Sequence, residues 1–381
     1  MKRKHLWIWA FPLLAMASCI QEEAPNAEAD IEYCIIRDKS ILKNQADTLF
    51  RANTDHNRIT IRAKKEADLS AIAPEFRLTE GVTIEPASGS VHDFSNDAVV
   101  RYTVTSEDGQ WQKTYEVGFN RAEMRTDFHF EHFELNDPSI PERTYYQWFE
   151  VMPGSSMHYY DWASGNSGFK MTGVQVGPEG YPTVPWTAGV QGNGVKLETK
   201  DTGWFGNSMQ MPIAAGNLFL GTFDATYALA PGGGAMKATC FGVPFTEKPL
   251  RLKGYYRFKA GETFINEKKE VQEGRQDYCD FYGVLYENTQ DGESFVLHGD
   301  DVLTSPAIVA LARIPQEDIV QVDEWTEFNL PFEYYKELDM QRLEDYGYNL
   351  AVVFSSSVEG ASFKGAVGST LWIDEVSLEC E

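Results

Sequence analysis

Two short segments each combine a tryptophan with an asparagine a few residues later. Trp162 precedes Asn166 in DWASGN, and Trp204 precedes Asn207 in TGWFGN. The apolar C–H face of a pyranose ring stacks on an indole, and its hydroxyl groups pair with amide and carboxyl side chains. Both segments therefore predict a sugar-binding surface walled by loops. The alternative is that the tryptophans pack in a core and the small polar residues form turns.

Four further residues are candidates for the same glycan site. Trp186 ends the loop YPTVPW, and Asn217 follows an Ala-Ala-Gly turn. Tyr255 and Asp280 lie in segments that alternate like strands, where one face of each strand is free to meet a ligand. For each of these residues, packing in the core or shaping of a turn is the competing interpretation.

The most conspicuous pair of carboxylates lies near the C-terminus. Asp374 and Glu375 are adjacent in GSTLWIDEVSLE. Adjacent residues of a strand point to opposite faces, whereas glycoside hydrolysis needs two carboxyl groups that face each other about 5 to 10 Å apart. This pair is therefore not predicted to be catalytic. The chain has 57 acidic residues, so other pairs remain possible, and Asp161 and Asp280 have aromatic neighbours.

The charge of the chain restricts its partners. The formal net charge is −24, and the first 18 residues carry three cations and no acid, so their removal would make it −27. A protein this acidic repels polyanions at long range, and nucleic acid is not predicted as a partner.

The N-terminus resembles a bacterial lipoprotein signal. In MKRKHLWIWAFPLLAMASC, three cations precede an apolar run that is too short to span a membrane. Residues 17–19 resemble a lipobox, which implies cleavage of residues 1–18 and lipidation of Cys19; a plain secretory signal is the alternative. Residues 19–30 predict a flexible acidic tether. Their acidic residues resemble the surface-export signal of Bacteroidota lipoproteins, which implies an outer-membrane protein that faces the cell exterior.

The rest of the chain predicts an all-β protein with two domains. Residues 31–121 contain short strand-like runs broken by turns, such as VVRYTVTSEDG, and predict an immunoglobulin-like β-sandwich. Residues 120–126 form a polar break. Residues 125–381 contain many strand-like segments with long loops and little helical periodicity, which predicts a larger β-jelly roll.

Several segments of the second domain resemble a known family. They are YDWASGNSGF, AAGNLFLGTF, FGVPFTEKPLRLKGYYRFKAGE and VVFSSSVEGASFKGAVGSTLWIDEVSLE. Together they resemble the putative carbohydrate metabolism domain of Bacteroidota surface lipoproteins. The resemblance implies an immunoglobulin-like domain followed by a jelly roll with a pocket for an oligo- or polysaccharide.

The resemblance leaves three classes of function open. The first is a lipid-anchored protein that binds glycan and takes part in carbohydrate utilisation, within a surface glycan-uptake complex. The second is a glycoside hydrolase that uses a carboxylate pair in the same pocket. The third is a structural or adhesion subunit without catalysis.

One metal site is also implied by the resemblance. Carbohydrate-binding jelly rolls commonly hold a structural calcium ion between their first and last strands, bound by six to eight oxygen atoms. Glu131 and Glu134 lie in the first predicted strand of the domain and Asp374 in the last. Ordinary exposed acids are the alternative, and no other cofactor is predicted.

Overall fold

A computed structural model describes most of the chain. The described residues are 28–46, 48–51, 57–121, 123–140, 143–151, 158–224, 227 and 234–381. The predicted signal peptide, Cys19 and most of the predicted tether lie outside them. Within these ranges, none of the helices has the length and apolar composition needed to span a membrane.

The N-terminal domain consists of two sheets. Its strands are β1 Ile31–Ile35, β2 Leu49–Phe50, β3 Arg58–Arg62, β4 Glu75–Leu78, β5 Thr83–Glu85, β6 Val99–Thr105 and β7 Gln112–Asn120. One sheet has the order β2-β1-β4 and the other the order β3-β7-β6-β5. The strands β3 and β7 are parallel, and the other pairs are antiparallel.

Alternating residues of these strands build the core of the first domain. In β7, Tyr115, Val117 and Phe119 are buried while their neighbours are not. Such a period of two is expected for a strand with one face against a core. Gly109, with φ +70°, lies in the turn between β6 and β7, where an L side chain would be strained.

The second domain contains most of the strands. They are β8 Asp127–Phe128, β9 Phe133–Leu135, β10 Tyr146–Val151, β11 His158–Ala163, β12 Thr183–Trp186, β13 Gly194–Glu198, β14 Lys200–Asp201, β15 Ile213–Ala214, β16 Asn217–Phe223, β17 Thr239–Phe241, β18 Val243–Phe245, β19 Pro249–Lys259, β20 Phe264–Ile265, β21 Asp280–Glu287, β22 Thr289–Gln290, β23 Glu293–Ser294, β24 Ile308–Arg313, β25 Thr326–Pro331, β26 Glu333–Tyr334, β27 Tyr348–Ser355, β28 Gly365–Ala366 and β29 Thr370–Cys380.

Two antiparallel sheets of this domain enclose its main core. The large sheet has the order β26-β24-β21-β27-β16-β11-β10-β9, and β17 and β18 pair with β16 and β27. The small sheet has the order β12-β13-β29-β19-β25, and β8 pairs with β29. Trp148 and Trp162 from the large sheet and Leu371 and Ile373 from the small sheet belong to one buried cluster. The prediction of an all-β fold built from sandwiches is confirmed.

The helices of the described chain are short. They are α1 Asn166–Met171, α2 Gly203–Ser208 and α3 Met340–Glu344. The α3 helix lies in the polar segment EYYKELDMQRLEDYG, and Asp339 caps it by accepting a hydrogen bond from the backbone N–H of Arg342 at 3.0 Å. Single turns of 3-10 helix occupy Lys39–Ile41, Ser95–Asp97, Pro178–Gly180, Gly234–Ala238, Gln316–Asp318 and Gly360–Ser362.

The last strand, β29, lies in the middle of the small sheet and contains a bulge. It pairs with β13 on one side and β19 on the other, and its end also pairs with β8, the first strand of the domain. Glu375 has φ +50°, and the register with β19 shifts beside it. Strict alternation predicts that Val376 shares a face with Trp372 and Asp374, and this is wrong. The bulge inserts one extra residue, so Val376 points into the core.

Polar contacts join the two domains. Lys43 is buried, forms a salt bridge of 3.2 Å with Glu123, and lies 5.0 Å from the ring centre of Tyr346. The Tyr346 hydroxyl donates to the same carboxylate at 2.6 Å. Burial lowers the pKa of Lys43, and the nearby Glu123 opposes this effect. A second contact joins Arg51 to Asp224 at 2.6 Å.

Candidate functional site

Trp162 is a core residue. Its side chain is 4% exposed, and its ring lies 5.1 Å from the ring of Phe128 and 5.4 Å from that of Phe130. The indole Nε1–H donates to Glu150 Oε1 at 3.0 Å. Both the ring face and the polar atom are therefore used inside the protein. The prediction that Trp162 stacks on a sugar is wrong, because β11 directs it between the sheets.

Asn166 and Asn217 have structural roles. The Asn166 side chain donates to the Thr183 carbonyl at 2.8 Å and accepts from the Thr183 N–H at 3.1 Å. Asn217 Oδ1 accepts from the Gly165 N–H at 2.7 Å, and its carbonyl accepts from the Thr183 hydroxyl at 2.8 Å. These bonds fasten the start of α1 to β12 and β16. The prediction that Asn166 binds glycan is wrong because the residue is fully buried. Asn217 keeps part of its surface, but its amide oxygen is already bonded.

Trp204 and Asn207 lie on α2 and differ in exposure. Trp204 is 83% exposed, so its indole is open to a ligand, and its role in glycan binding stays a prediction. Asn207 donates to the Gly203 carbonyl at 2.5 Å within the same helix. Trp204 has no aromatic neighbour among the described residues, so any platform it forms consists of one ring.

Asp280 is paired inside the large sheet. Its two carboxylate oxygens accept hydrogen bonds from Arg313 at 3.0 and 2.7 Å. Burial raises the pKa of Asp280, and the Arg313 guanidinium opposes the rise. This bidentate ion pair satisfies the carboxylate, so the prediction of a glycan-binding Asp280 finds no free acceptor here.

Two of the three residues predicted to bind calcium hold a loop. Asp374 Oδ2 accepts the backbone N–H groups of Val190 and Gln191 at 2.6 and 3.1 Å. Glu131 accepts the backbone and side-chain N–H groups of Asn193 at 2.9 and 2.7 Å. Both carboxylates thus fix the β12–β13 loop by accepting hydrogen bonds.

The calcium site stays a prediction. The oxygens of Asp374 and Glu131 already accept hydrogen bonds from N–H groups of the loop. Glu134 belongs to β9 of the large sheet, whereas Asp374 lies in the small sheet. Within the described residues, no group of three acidic, histidine or cysteine side chains is placed to hold a metal ion.

The outer face of the small sheet carries an aromatic strip, defined here as Trp186, Trp372, Arg257 and Trp325. Trp372 lies between the core residues Leu371 and Ile373, and Arg257 lies between Tyr256 and Phe258, so both point away from the core. The backbones of Trp372 and Arg257 are paired directly in the sheet.

Ring contacts connect the strip. The centres of Trp186 and Trp372 are 5.8 Å apart in an edge-to-face arrangement. The Arg257 guanidinium carbon lies 4.8 Å from the ring centre of Trp372 and 5.7 Å from that of Trp325. All four side chains are half-buried. Cation–π attraction and aromatic packing therefore fix the strip before any ligand arrives.

Three polar groups of the strip are buried without a hydrogen-bond acceptor. They are the ring N–H groups of Trp186 and Trp372 and the Nε–H of Arg257, none of which has a partner among the described residues. Aromatic faces are weak acceptors for such groups. Tyr255 lies two residues before Arg257 on the same outer face and pairs with Asp374 across the sheet. Of the residues predicted for glycan binding, the structure brings Trp186 and Tyr255 to this face.

A second cluster contains carboxyl groups near the C-terminal end of β10. Burial raises the pKa of Glu150 to about 7, although the hydrogen bond from Trp162 and the charge of Arg125 lower it. Asp127 forms an ion pair with Arg125, and His129 lies 3.3 Å from Asp127 and 3.0 Å from Glu375. A carboxyl group whose pKa lies near neutrality has one property of a general acid.

A cysteine and a histidine also meet in the structure. Cys240 Sγ lies 3.8 Å from His298 Nδ1, a contact that their distance in sequence hides. However, His298 Nδ1 is 2.7 Å from the Thr239 carbonyl, so this nitrogen carries the proton and cannot accept one from the thiol. Burial also raises the pKa of the Cys240 thiol. The pair therefore lacks the activation that a nucleophile needs.

Sequence reasoning missed Trp372, Trp325 and Arg257 as members of a surface. Trp372 and Arg257 each lie between two apolar residues of a strand, and this alternation could have placed them on the outer face. Trp325 precedes the start of β25, where no alternation is available. Alternation within a strand does not show that β19 and β29 are neighbours, because that pairing joins distant segments of the chain.

Together, the fold and the strip define a two-domain β-sandwich protein with an aromatic surface on one sheet. The chain belongs to the family described as the putative carbohydrate metabolism domain, whose model matches residues 129–379. A second model, described as "SGBP, N-terminal", matches residues 41–118. The second domain is thus a carbohydrate-related domain, and the predicted family is confirmed.

Two solved structures from Bacteroides are similar to the chain. One, from Bacteroides thetaiotaomicron, is described as a putative glycoside hydrolase; it is 41% identical with a TM-score of 0.83, covering 95% of this chain and 99% of that one. Another, from Bacteroides vulgatus and described in the same words, is 38% identical with a TM-score of 0.61, covering 68% of this chain and 99% of that one. None of the curated proteins matches the chain.

Proposed function

We propose that the protein binds carbohydrate through the aromatic strip. The observation that carries the proposal is the row of Trp186, Trp372, Arg257 and Trp325 on the outer face of the small sheet. In a chain of a carbohydrate-related family, this row offers indole faces to pyranose rings and the terminal nitrogens of Arg257 to ring hydroxyls. Strands hold the rings rigidly, which limits the entropy lost on binding.

The proposal includes attachment to the outer membrane. Lipidation at Cys19 and a tether over residues 19–30 would leave the two sandwiches exposed at the cell exterior, where the chain would act in a glycan-uptake complex. The match of the N-terminal domain to the "SGBP, N-terminal" model supports this, since the abbreviation denotes surface glycan-binding proteins. Cys19→Ser is expected to move the protein from the membrane fraction to the soluble fraction, and equal membrane retention would refute the anchor.

The binding test compares single tryptophan variants. Purified protein is applied to an array of oligo- and polysaccharides, and the dissociation constant is then measured for the retained glycans. We expect Trp372→Ala to weaken binding at least about tenfold, because truncation of a central aromatic anchor removes most of the contact. The matched control is Trp111→Ala, which removes a 62% exposed indole from the N-terminal domain.

A third variant separates the strip from the other exposed ring. If Trp204→Ala abolishes binding while Trp372→Ala has no effect, then the glycan site lies at α2 and the strip proposal is wrong. Absence of binding to every glycan on the array would favour a structural or adhesion subunit.

Glycoside hydrolysis is a second candidate function. It is favoured by Glu150, whose pKa is raised to about 7 by burial, and by the description of both solved relatives. Under this alternative, glycan turnover is lost in Glu150→Gln, because the amide cannot donate the proton. The matched control is Glu134→Gln on β9. Equal release of reducing sugar by wild type and Glu150→Gln would exclude Glu150 as the acid.

A further inference from the structure

The guanidinium of Arg257 has no carboxylate partner. It contacts the indoles of Trp372 and Trp325 and forms no hydrogen bond or ion pair with a described residue. Its Nε–H is buried, so the two terminal nitrogens are the groups that a ligand can reach. It is held at a fixed place between two rings, with its charge uncompensated. Such a group is pre-organised to bind an anion, since a planar guanidinium matches the two oxygens of a carboxylate or sulfate.

Several other arginines of the chain are paired with carboxylates. Arg313 is held by Asp280 in the large sheet, Arg37 by Glu75 in the first domain, and Arg275 by Glu359. A chain with 57 acidic and 33 basic residues offers many carboxylates. Arg257 has no such partner, although it lies in the centre of a sheet face between two indole rings.

A second cation lies beside Arg257. Lys259 is exposed on the same face two residues later and makes no ion pair with a described residue. Glu198 lies in the same row of the sheet as Lys259, with Thr370 between them. However, its carboxylate is already bound by Lys196 at 2.5 Å and by Lys200 at 2.7 Å.

The remaining acids of this face do not neutralise the two cations. Asp374 is buried beneath the β12–β13 loop and accepts three backbone N–H groups. Glu327 is exposed on β25 opposite Tyr255. The strip therefore presents net positive charge on a protein whose total charge is −24.

We propose that the strip selects acidic polysaccharides, with a uronate carboxylate or a sulfate ester on Arg257 and the adjacent sugar rings on Trp372 and Trp186. This inference rests on the proposed carbohydrate-binding function and specifies its ligand class. The negative total charge does not prevent it, because charges farther apart than about 8 Å are largely screened at physiological ionic strength. At low salt, the same total charge slows the approach of the polyanion.

The test uses pairs of polysaccharides that differ only in charge. Polygalacturonate is compared with its fully methyl-esterified form, and sulfated carrageenan with its desulfated form, by calorimetry at physiological salt. The first pair detects a carboxylate ligand and the second a sulfate ligand. We expect one acidic form to bind about 10- to 100-fold more tightly than its neutral counterpart, the range that one charge-assisted contact provides.

Substitutions assign the effect to the strip. Arg257→Met keeps an apolar stem between the indoles and removes the charge, so it is expected to erase the preference for the acidic form. Arg257→Lys is expected to retain part of it. The matched control is Arg143→Met, since Arg143 is also exposed and has no ion pair among the described residues.

The outcomes separate the preference for acidic glycans from carbohydrate binding itself. Equal affinity for acidic and neutral forms, with loss of both in Trp372→Ala, would overturn the acidic ligand and leave carbohydrate binding intact. A preference that survives Arg257→Met would also overturn it. Binding of neither form of either polysaccharide would overturn this inference, and only the full array would then decide the proposed function.

Discussion

Two regions of the second domain use tryptophan in opposite ways. Trp162, on the large sheet, is enclosed by phenylalanine rings, and its one polar atom is bonded to Glu150. Trp372, on the small sheet, is half-buried, packs against Arg257, and has an N–H group without an acceptor. The difference shows that the face of the strand decides the role of the residue, whereas the polar neighbours in sequence do not.

The largest expected effect is on stability. Trp162→Ala removes a fully enclosed ring and leaves a cavity beside Phe128, so we expect the free energy of unfolding to fall by about 3–5 kcal/mol. Trp372→Ala removes a half-exposed ring, and we expect a loss of about 1 kcal/mol. Urea unfolding of both variants checks the comparison. Similar losses would mean that the strip is part of the core.

Glu150 makes the first region sensitive to pH. Its pKa is raised by burial to about 7 from an ordinary value of 4.5, so the folded protein binds a proton more tightly than the unfolded chain. The stabilisation by this proton is fully present below pH 4.5 and is lost as the pH rises through 7. Glu150→Gln keeps an acceptor for Trp162 without the charge.

We therefore expect Glu150→Gln to be more stable than wild type by about 2–3 kcal/mol at pH 8, with little difference near pH 4.5. The free energy of unfolding of both proteins, measured from pH 4.5 to 8, checks the prediction. A difference that does not grow with pH would show that Glu150 is ionised in the folded protein at neutral pH.

A smaller effect is expected where the strip meets the β12–β13 loop. Asp374→Ala leaves the N–H groups of Val190 and Gln191 without their acceptor, so we expect a loss of about 2 kcal/mol. The control is Glu327→Ala, an exposed carboxylate of β25, for which little change is expected.

Thermal unfolding with and without calcium decides whether the ion binds at this loop. Because the oxygens of Asp374 and Glu131 accept hydrogen bonds, we expect the midpoint of thermal unfolding to be equal with added calcium and with a chelator. If calcium raises the midpoint of wild type and Asp374→Ala removes this rise, then the predicted metal site is confirmed.

The sequence was sufficient for the elements that depend on local patterns. The hairpin of β6 and β7 follows from alternating residues around an Asp-Gly turn. Family motifs led to the fold of the second domain. The predictions for Trp162 and Asn166 were wrong because the segment DWASGN is equally typical of a loop and of the end of a buried strand.

Two features of the strip were beyond local patterns. The bulge at Glu375 changes which residues of β29 face the core, and no residue type in IDEV requires it. The strip itself exists because β29 lies between β13 and β19, an arrangement set by packing of the whole domain. Only that arrangement places Arg257 against Trp372.

The smallest expected effect on stability completes the comparison. Arg257→Met removes a charge that contacts only aromatic faces, and methionine can fill the space beside Trp372, so we expect a change below about 1 kcal/mol. Chemical denaturation of the variant and of Arg143→Met provides the measurement and its control. Substitution of a core residue lowers the free energy of unfolding with or without ligand, whereas substitution of a binding residue lowers only the affinity for the ligand. If Arg257→Met were as destabilising as Trp162→Ala, then the strip would be held together for the sake of the fold, and its free charge would need a structural explanation.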